Sequence, residues 1–269
     1  MLLENCKVLE NKRVNGMYFL MKVSSENLVE RCKAGQFFML KMQNEITILR
    51  RPISTHSADK KNGVIEFYYE VKGRGTEEMA AKREGDIINL QGPLGNGFTT
   101  DYENKTLLVV GGGMGLAPLK YLIEDLKRRE KNNKIIFIAG GRNKGALEIL
   151  QNFDLENVEV HIATDDGSLG KKGNVIEMMK EIITENHIDA VMSCGPHRVL
   201  ELVGEIANAK DIYAEISLEE RMACGVKACV GCSIKTLQGM KKVCHDGPVF
   251  DSKTIVDVSP KENEPCSCN

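Results

Sequence analysis

Between Cys224 and Cys244 the chain places four cysteines, with four, two and eleven residues between successive ones. Thiolates are metal ligands, and the order C-x4-C-x2-C…C is the spacing with which four of them hold a [2Fe–2S] cluster. Gly225, Ala228 and Gly231 keep the loop compact, and glycine supplies the backbone angles that turn N–H groups toward a cluster. A zinc ribbon would pair two C-x2-C knuckles. Only Cys229 and Cys232 form one here, so zinc stands as the alternative to iron. The metal-ligand candidates are therefore Cys224, Cys229, Cys232 and Cys244.

The rest of the chain must build a frame for this loop. Its 269 residues suffice for two domains and a small module. With 36 basic and 38 acidic residues the net charge is −2, which argues against a nucleic-acid or membrane-surface protein driven by charge. The start, MLLENCKVLENKR, has no apolar signal core. Nine cysteines, four of them at metal-ligand spacing, read as a cytoplasmic metal protein and not as a disulfide framework.

Residues 1–98 alternate in the manner of strands. About six are expected, near 6–10, 17–23, 35–42, 52–56, 63–71 and 85–90, with one short helix over 76–82. Closely spaced strands of this kind predict a small antiparallel barrel. Arg50-Arg51-Pro52-Ile53-Ser54 sets a cation, a rigid turn and a hydroxyl in sequence. The planar fork of an Arg suits a pyrophosphate, although a surface Arg pair at a strand start has the same composition. Tyr68-Tyr69-Glu70 precedes Gly73-Arg74-Gly75-Thr76, where a helix start offers N–H groups to a phosphate. Tyrosines in strands are otherwise packing residues.

From about Lys105 the pattern becomes strand–helix alternation, with five strands near 106–110, 134–139, 158–163, 189–194 and 211–217. Helices are expected to about 129 and near 144–151, 173–185 and 196–208. This predicts a five-stranded parallel, doubly wound sheet that binds ligands at the carboxyl ends of its strands. Gly111-Gly112-Gly113-Met114-Gly115-Leu116-Ala117-Pro118 follows the first strand. It reads as G-x-G-x-x-P, with Pro118 in the first helical turn, where no N–H is needed. Such a turn suits a dinucleotide pyrophosphate or serves simply as a tight connection. Cys194-Gly195-Pro196 ends the fourth strand, where it can flank a nicotinamide. Asp165-Asp166 ends the third strand and Arg142 the second. Neither NAD nor NADP is selected by these residues. His161, His187, His197 and His245 have no ligand spacing.

Taken together, RPxS, the Tyr pair before Gly-Thr, GxGxxP, CGP, the loop Gly92–Phe98 and the four-cysteine loop followed by DGPVF resemble the ferredoxin-reductase superfamily. Within it they are similar to the electron-transfer subunits of class 1B dihydroorotate dehydrogenase. The resemblance implies FAD held by Arg51, Pro52, Ile53 and Ser54, by the strand at Tyr68, Tyr69 and Glu70, and by Gly75 and Thr76. It implies a [2Fe–2S] cluster on the four cysteines, and the residue reading adds Gly111, Gly113, Gly115, Cys194, Gly195 and Pro196 as the candidate NAD(H) site. It also implies an FMN-containing dihydroorotate dehydrogenase catalytic subunit as partner in a two-plus-two heterotetramer, with no nucleic acid and no membrane. The expected division is an FAD-binding β-barrel (1–98), an NAD-binding α/β domain (99–218), a [2Fe–2S] module (219–258) and a tail (259–269). An oxidoreductase subunit follows, passing electrons among partner FMN, cluster, FAD and NAD+ in pyrimidine biosynthesis. A small subunit of an NADPH-dependent ferredoxin oxidoreductase or sulfide dehydrogenase shares the same modules. A zinc-bearing, NAD(H)-sensing module is the reading from another class. Similar sequences often carry Arg at Glu70 and Gly at Lys227. Lys227 would raise the cluster potential if it points inward. Cys266 and Cys268 have no counterpart.

Overall fold

The computed structural model describes residues 2–42 and 48–256. The tail with Cys266 and Cys268 lies outside them. Seven strands open the chain: β1 (Leu2–Asn15), β2 (Tyr18–Ser24), β3 (Phe37–Lys41), β4 (Arg51–Ser54), β5 (Ser57–Asp59), β6 (Val64–Glu70) and β7 (Ile87–Leu94). They form one sheet in the order β4-β3-β7-β1-β2-β6-β5, antiparallel throughout. The sheet curls on itself, because the His56 N–H, just past β4, donates to the Glu66 carbonyl of β6 at 2.8 Å. Alternation makes the barrel core: Val8, Met21, Phe38, Leu40, Phe67 and Tyr69 are buried inside it.

Two details differ from the sequence reading. β1 is longer than the expected 6–10 run, since only Cys6 and Val8 along it are fully buried and its other residues are largely polar. The expected strand over 52–56 divides into β4 and β5 at a corner occupied by Thr55 and His56. Helix α1 (Arg74–Ala81) follows β6.

The second sheet contains β8 (Thr106–Gly112), β9 (Lys134–Gly141), β10 (Glu159–Thr164), β11 (Lys171–Lys172), β12 (Ala190–Cys194) and β13 (Tyr213–Ser217). Strands β10-β9-β8-β12-β13 are the five expected parallel strands. On β8, alternate residues Leu107 and Val109 enter one core and Leu108 and Val110 the other, all fully buried. A strand covered on both faces needs such an unbroken apolar run, and each buried Val or Leu contributes about 1.5–3 kcal/mol. Helices α2 (Leu116–Arg128), α3 (Val175–Glu185) and α4 (His197–Ala209) cover the faces. The stretch expected as a helix near 144–151 is wound as 3-10 turns over Lys144–Asn152, begun by the Asn143 side chain accepting from the Ala146 N–H. A nine-residue apolar pattern does not distinguish three from 3.6 residues per turn.

The cysteine segment carries a hairpin, β14 (Ser233–Thr236) and β15 (Gly239–Lys242), then the single turn α5 (Val243–Asp246) and β16 (Val249–Asp251). β16 pairs antiparallel with β13, so this segment adds an edge strand to the parallel sheet. Among the described residues no helix is long and apolar enough to cross a membrane.

Candidate functional site

β4 is an edge strand, where Pro52 removes no ladder donor that a central strand would need. Register sets Arg51 opposite Leu40, Pro52 opposite Met39, Ile53 opposite Phe38 and Ser54 opposite Phe37. The two arginines have different tasks. Arg50 is spent on the barrel, donating to the carbonyls of Met39 (3.1 Å) and Asn89 (3.2 Å) and to Asn89 Oδ1 (2.5 Å). Arg51 lies across the start of α1, donating to the Leu49 carbonyl at 2.6 Å. A Cβ on Gly75 would overlap its guanidinium. Thr76 caps this helix: its hydroxyl accepts the N–H groups of Lys72 (2.9 Å) and Gly73 (3.2 Å) and donates to the Gly73 carbonyl. The first-turn N–H groups of a helix have no intrahelical partner and favour an anion. Arg51 and α1 thus form one cationic cradle, because residue 75 has no side chain to keep the guanidinium off the helix start.

The Tyr pair separates by strand alternation. Tyr68 packs against Tyr18 (centroids 6.0 Å apart) and His56 (5.5 Å). Tyr69 stacks on Phe19 and donates its hydroxyl to Asn11 Oδ1 at 3.0 Å, inside the barrel. Its main chain alone is left for a ligand. Glu70 pairs with Lys72 at 3.0 Å.

In the second sheet, Gly111 of β8 and Cys194 of β12 are register neighbours. The GxGxxP turn and the CGP corner therefore meet at the carboxyl ends of adjacent strands. Gly113 is left-handed, at φ +57°, with open space beside it. A Cβ on Gly115 would strike the Cys194 carbonyl and the Gly195 nitrogen, so glycine there lets the turn rest on the corner. A Cβ on Gly111 would meet Leu116 and Leu119 of α2, so glycine there lets the helix pack onto the strand. Burial pushes the Cys194 thiol up to about 12, so it stays protonated. The loop after β10 folds onto the end of β9: Asp165 and Asp166 donate N–H groups to the carbonyls of Gly141 (3.1 Å) and Arg142 (3.3 Å). Hydrogen bonds from Ser168 hold the Asp166 carboxyl below its usual range.

The four cysteines fall into two pairs. Cys224 Sγ accepts the N–H of Cys229 at 3.3 Å and of Val226 at 3.4 Å. Burial raises that thiol, yet these donors outweigh it and bring the pKa down to about 7. Cys244 touches Cys232, and the Val243 N–H donates to the Cys232 carbonyl at 3.0 Å. Burial pushes Cys244 up to about 11, against the lowering effect of the Lys227 N–H. Lys227 has the left-handed φ of +65°. Its side chain is exposed, with Nζ 3.5 Å from His245 Nδ1, and its carbonyl accepts Lys242 Nζ at 2.9 Å. It points to the surface and not inward. All seven cysteines among the described residues are free thiols. Among those residues, no three Cys, His, Asp or Glu side chains are grouped as ligands of a single ion.

Residues 219–256 match the family described as iron-sulfur cluster binding domain of dihydroorotate dehydrogenase B, and residues 5–98 match the oxidoreductase FAD-binding domain. A dihydroorotate dehydrogenase B (NAD(+)) electron transfer subunit of Clostridium perfringens is 39% identical over 252 residues, covering 93% of this chain and 96% of the relative. That of Caldanaerobacter subterraneus is 36% identical over 254 residues, covering 93% and 97%. The chain belongs to the dihydroorotate dehydrogenase B electron transfer subunit family. Among solved structures, a chain of the NADH-dependent reduced ferredoxin-NADP oxidoreductase superposes with a TM-score of 0.83 at 27% identity, over 93% of this chain and 89% of that one. A ferredoxin NADP+ reductase of Neisseria gonorrhoeae shares the fold, with a TM-score of 0.64 at 19% identity over 79% and 92%.

In this member of the electron transfer subunit family, the seams between modules hold residues that motif reading missed. Gln91 donates to the Cys224 carbonyl at 3.4 Å, and Asn96 donates to the carbonyls of Gly247 (2.5 Å) and Asp246 (2.9 Å). A Cβ on Gly225 would press on Met39 and Leu94. On α2, His56 Nδ1 lies 2.7 Å from the Ala117 carbonyl, and Lys120 bonds Glu66 and Glu124. The sequence signal for the second seam was Lys120, a charge on an apolar helix face.

Proposed function

We propose that this chain carries electrons between an FMN-containing catalytic subunit, which oxidises dihydroorotate to orotate, and NAD+. The route runs through a [2Fe–2S] cluster and FAD, within pyrimidine biosynthesis. Its relatives' names and its two matched families support this reading. The observation that carries it is the placement of the cysteine loop behind the flavin strand. Gly225 packs on Met39, and Met39 is the register partner of Pro52 on one side and Gln91 on the other. Gln91 in turn holds the Cys224 carbonyl. One strand thus touches both cofactor motifs.

The residues present fit the groups. Arg51, whose guanidinium rests against Gly75, would with the first turn of α1 hold the FAD pyrophosphate. Pro52, Ile53 and Ser54 would line the flavin, with Ser54 at its ring edge, Tyr68 packing nearby, and the main chain of Tyr69 and Glu70 along the strand. Gly113 and Gly115, with Cys194, Gly195 and Pro196, would seat an exchangeable NAD(H). The cysteine pairs, Cys224 with Cys229 and Cys232 with Cys244, suit one iron each of a binuclear cluster. When bound, the flavin supplies the conversion between hydride transfer and single-electron transfer. The protein contributes position: a cationic cradle, a glycine turn and a thiolate loop on one rigid frame. No side chain in the cleft is required as a general acid or base, and Cys194 stays a neutral thiol.

We assign the modules as residues 1–98, 99–218 and 219–258, with two copies of this chain and two of the catalytic subunit. We place the assembly in the cytoplasm, where thiols stay reduced. Purification of the native assembly tests the proposal. Flavin bands with cluster absorption that dithionite bleaches, and a bound FMN subunit that turns over dihydroorotate, are expected. A colourless protein holding one zinc would overturn it. The likeness to the ferredoxin-NADP oxidoreductase chain over almost the whole length favours one second reading, a small FAD/[2Fe–2S] subunit of such an enzyme. Co-purification of a large flavoprotein carrying two further clusters would select it.

A further inference from the structure

Hydride transfer needs two motifs on separate modules held in one register: the flavin strand of the barrel and the GxGxxP turn at the head of α2. One face of α2 carries four polar contacts to the barrel. The Ala117 carbonyl meets His56 Nδ1 at 2.7 Å, Lys120 Nζ meets Glu66 at 3.2 Å, Tyr121 donates to the Cys32 carbonyl at 3.1 Å, and Glu124 accepts Ser57 Oγ at 2.6 Å. The spacing 117, 120, 121, 124 is one side of a helix. Three of these contacts fix the body of the helix. His56 alone among the four reaches its first turn, two residues from Gly115, and it stands two residues after Ser54.

His56 is 0% exposed. A carbonyl accepts only from a donor, so Nδ1 carries the proton. Burial, with Lys120 nearby, pulls the pKa to about 3 and keeps the ring neutral. Nε2 is then a bare acceptor, buried and without a partner among the described residues. A ring buried so fully does not touch a ligand in the cleft. It ties the two motifs together.

We infer that His56 is a positioning residue: its Nδ1–H bond to Ala117 sets the nucleotide turn against the flavin strand for hydride transfer. This rests on the electron-transfer reading above. The lever arm is short. From Glu124 to Ala117 the helix runs about 10 Å, so a pivot of about 6° moves the turn about 1 Å. Misplacement of about 1 Å costs up to about 10²-fold in rate.

The test uses the purified, cofactor-loaded protein and follows flavin reduction by NADH in stopped flow. His56→Leu removes the donor. It is expected to lower the limiting rate by about 10- to 10²-fold, while FAD content and the half-saturating NADH concentration change less than about threefold. His56→Asn places an amide N–H where Nδ1 stood and is expected to recover most of the rate. A wild-type limiting rate in His56→Leu overturns the proposal. So does a His56→Asn variant as slow as His56→Leu, which would assign the loss to packing volume. Nitrogen-15 histidine NMR of the wild-type protein needs no variant: a neutral Nδ1–H tautomer at pH 5 is expected, and an Nε2–H tautomer or a ring charged at that pH overturns it. A wild-type protein that takes up no flavin would instead overturn the electron-transfer reading, and the NMR result would still judge the bond.

Discussion

Gly75→Ala separates the flavin cradle from the helix that carries it, because the two respond with opposite sign. Residue 75 sits in the first turn of α1, and its added Cβ would collide with the Arg51 guanidinium while the backbone stays where it is. Arg51 ends a flexible side chain, so it swings away and the fold is retained. Replacing glycine by alanine inside a helix stabilises it by about 0.5–1 kcal/mol. The apoprotein should therefore melt at the wild-type temperature or up to about 4 °C higher. Loss of the charge-assisted bonds from Arg51 to a pyrophosphate costs about 1.5–3 kcal/mol. FAD affinity should then fall by about 10- to 150-fold. Titration of FAD into apoprotein, followed by quenching of flavin fluorescence, measures the second effect, and thermal denaturation of the same sample measures the first. Wild-type affinity in Gly75→Ala would refute the assignment of this cradle to the pyrophosphate. A fall in both affinity and apoprotein stability would show that the backbone moved, and that the guanidinium does not yield as argued.

Cys229→Ser should abolish cluster absorption while FAD stays bound, because the two motifs sit on separate modules; loss of both in a folded protein, read from the visible spectrum, counts against that. Lys227→Gly should be about 1 kcal/mol more stable to urea than Lys227→Ala, since the left-handed φ of +65° penalises any Cβ, and both should keep the cluster because the bond to Cys244 comes from the main chain. Glu215→Ala should cost about 1–3 kcal/mol in denaturant unfolding, since it leaves the Thr99 N–H, now 2.8 Å from the carboxylate, without its acceptor in the linker between the sheets. His56 makes the native state bind fewer protons than the unfolded chain between its depressed pKa of about 3 and its ordinary 6.5. Stability of the apoprotein should therefore rise with pH across that window by up to about 1.4 kcal/mol per unit, and that component should vanish in His56→Asn.

Both sheets were legible because their strands announce themselves by period. β8 reads as unbroken apolar residues and must be covered on both faces, while β2 and β6 alternate and must have one face inside a barrel. The candidate cysteine loop and the glycine turns stood out because metal spacing and left-handed backbone admit few residue types. The polar length of β1 was hidden, since a strand facing water on most of its residues looks like a loop. The corner at Thr55 and His56 was hidden for a related reason. Its main-chain bond to Glu66 depends on how the barrel closes, and no local pattern encodes closure. The same holds for Arg50 and Arg51. They are adjacent and identical in type, yet one is consumed by Met39 and Asn89 and the other lies across the start of α1, a division set by strand alternation at the sheet edge.

The barrel carries its two functional neighbours on different parts of its outer wall. Phe37, Met39 and Leu94 alternate outward from β3 and β7 and join the core that also contains Cys232, Ile234, Val243 and Cys244. The corner from Thr55 to Ser57, with Glu66 of β6, receives α2. β4, with the flavin motif, connects these walls: its Pro52 pairs with Met39, and its C-terminal end runs directly into His56. A displacement at either wall is thus transmitted to the same four residues, 51–54. An enzyme that used acid–base chemistry could tolerate such a shift by moving one side chain. A protein whose contribution is distance cannot, because electron and hydride transfer both depend on the separation of the groups it holds. The seams accordingly hold position with main-chain carbonyls, close-packed glycines and a fully buried imidazole, alongside the Lys120–Glu66 and Ser57–Glu124 contacts.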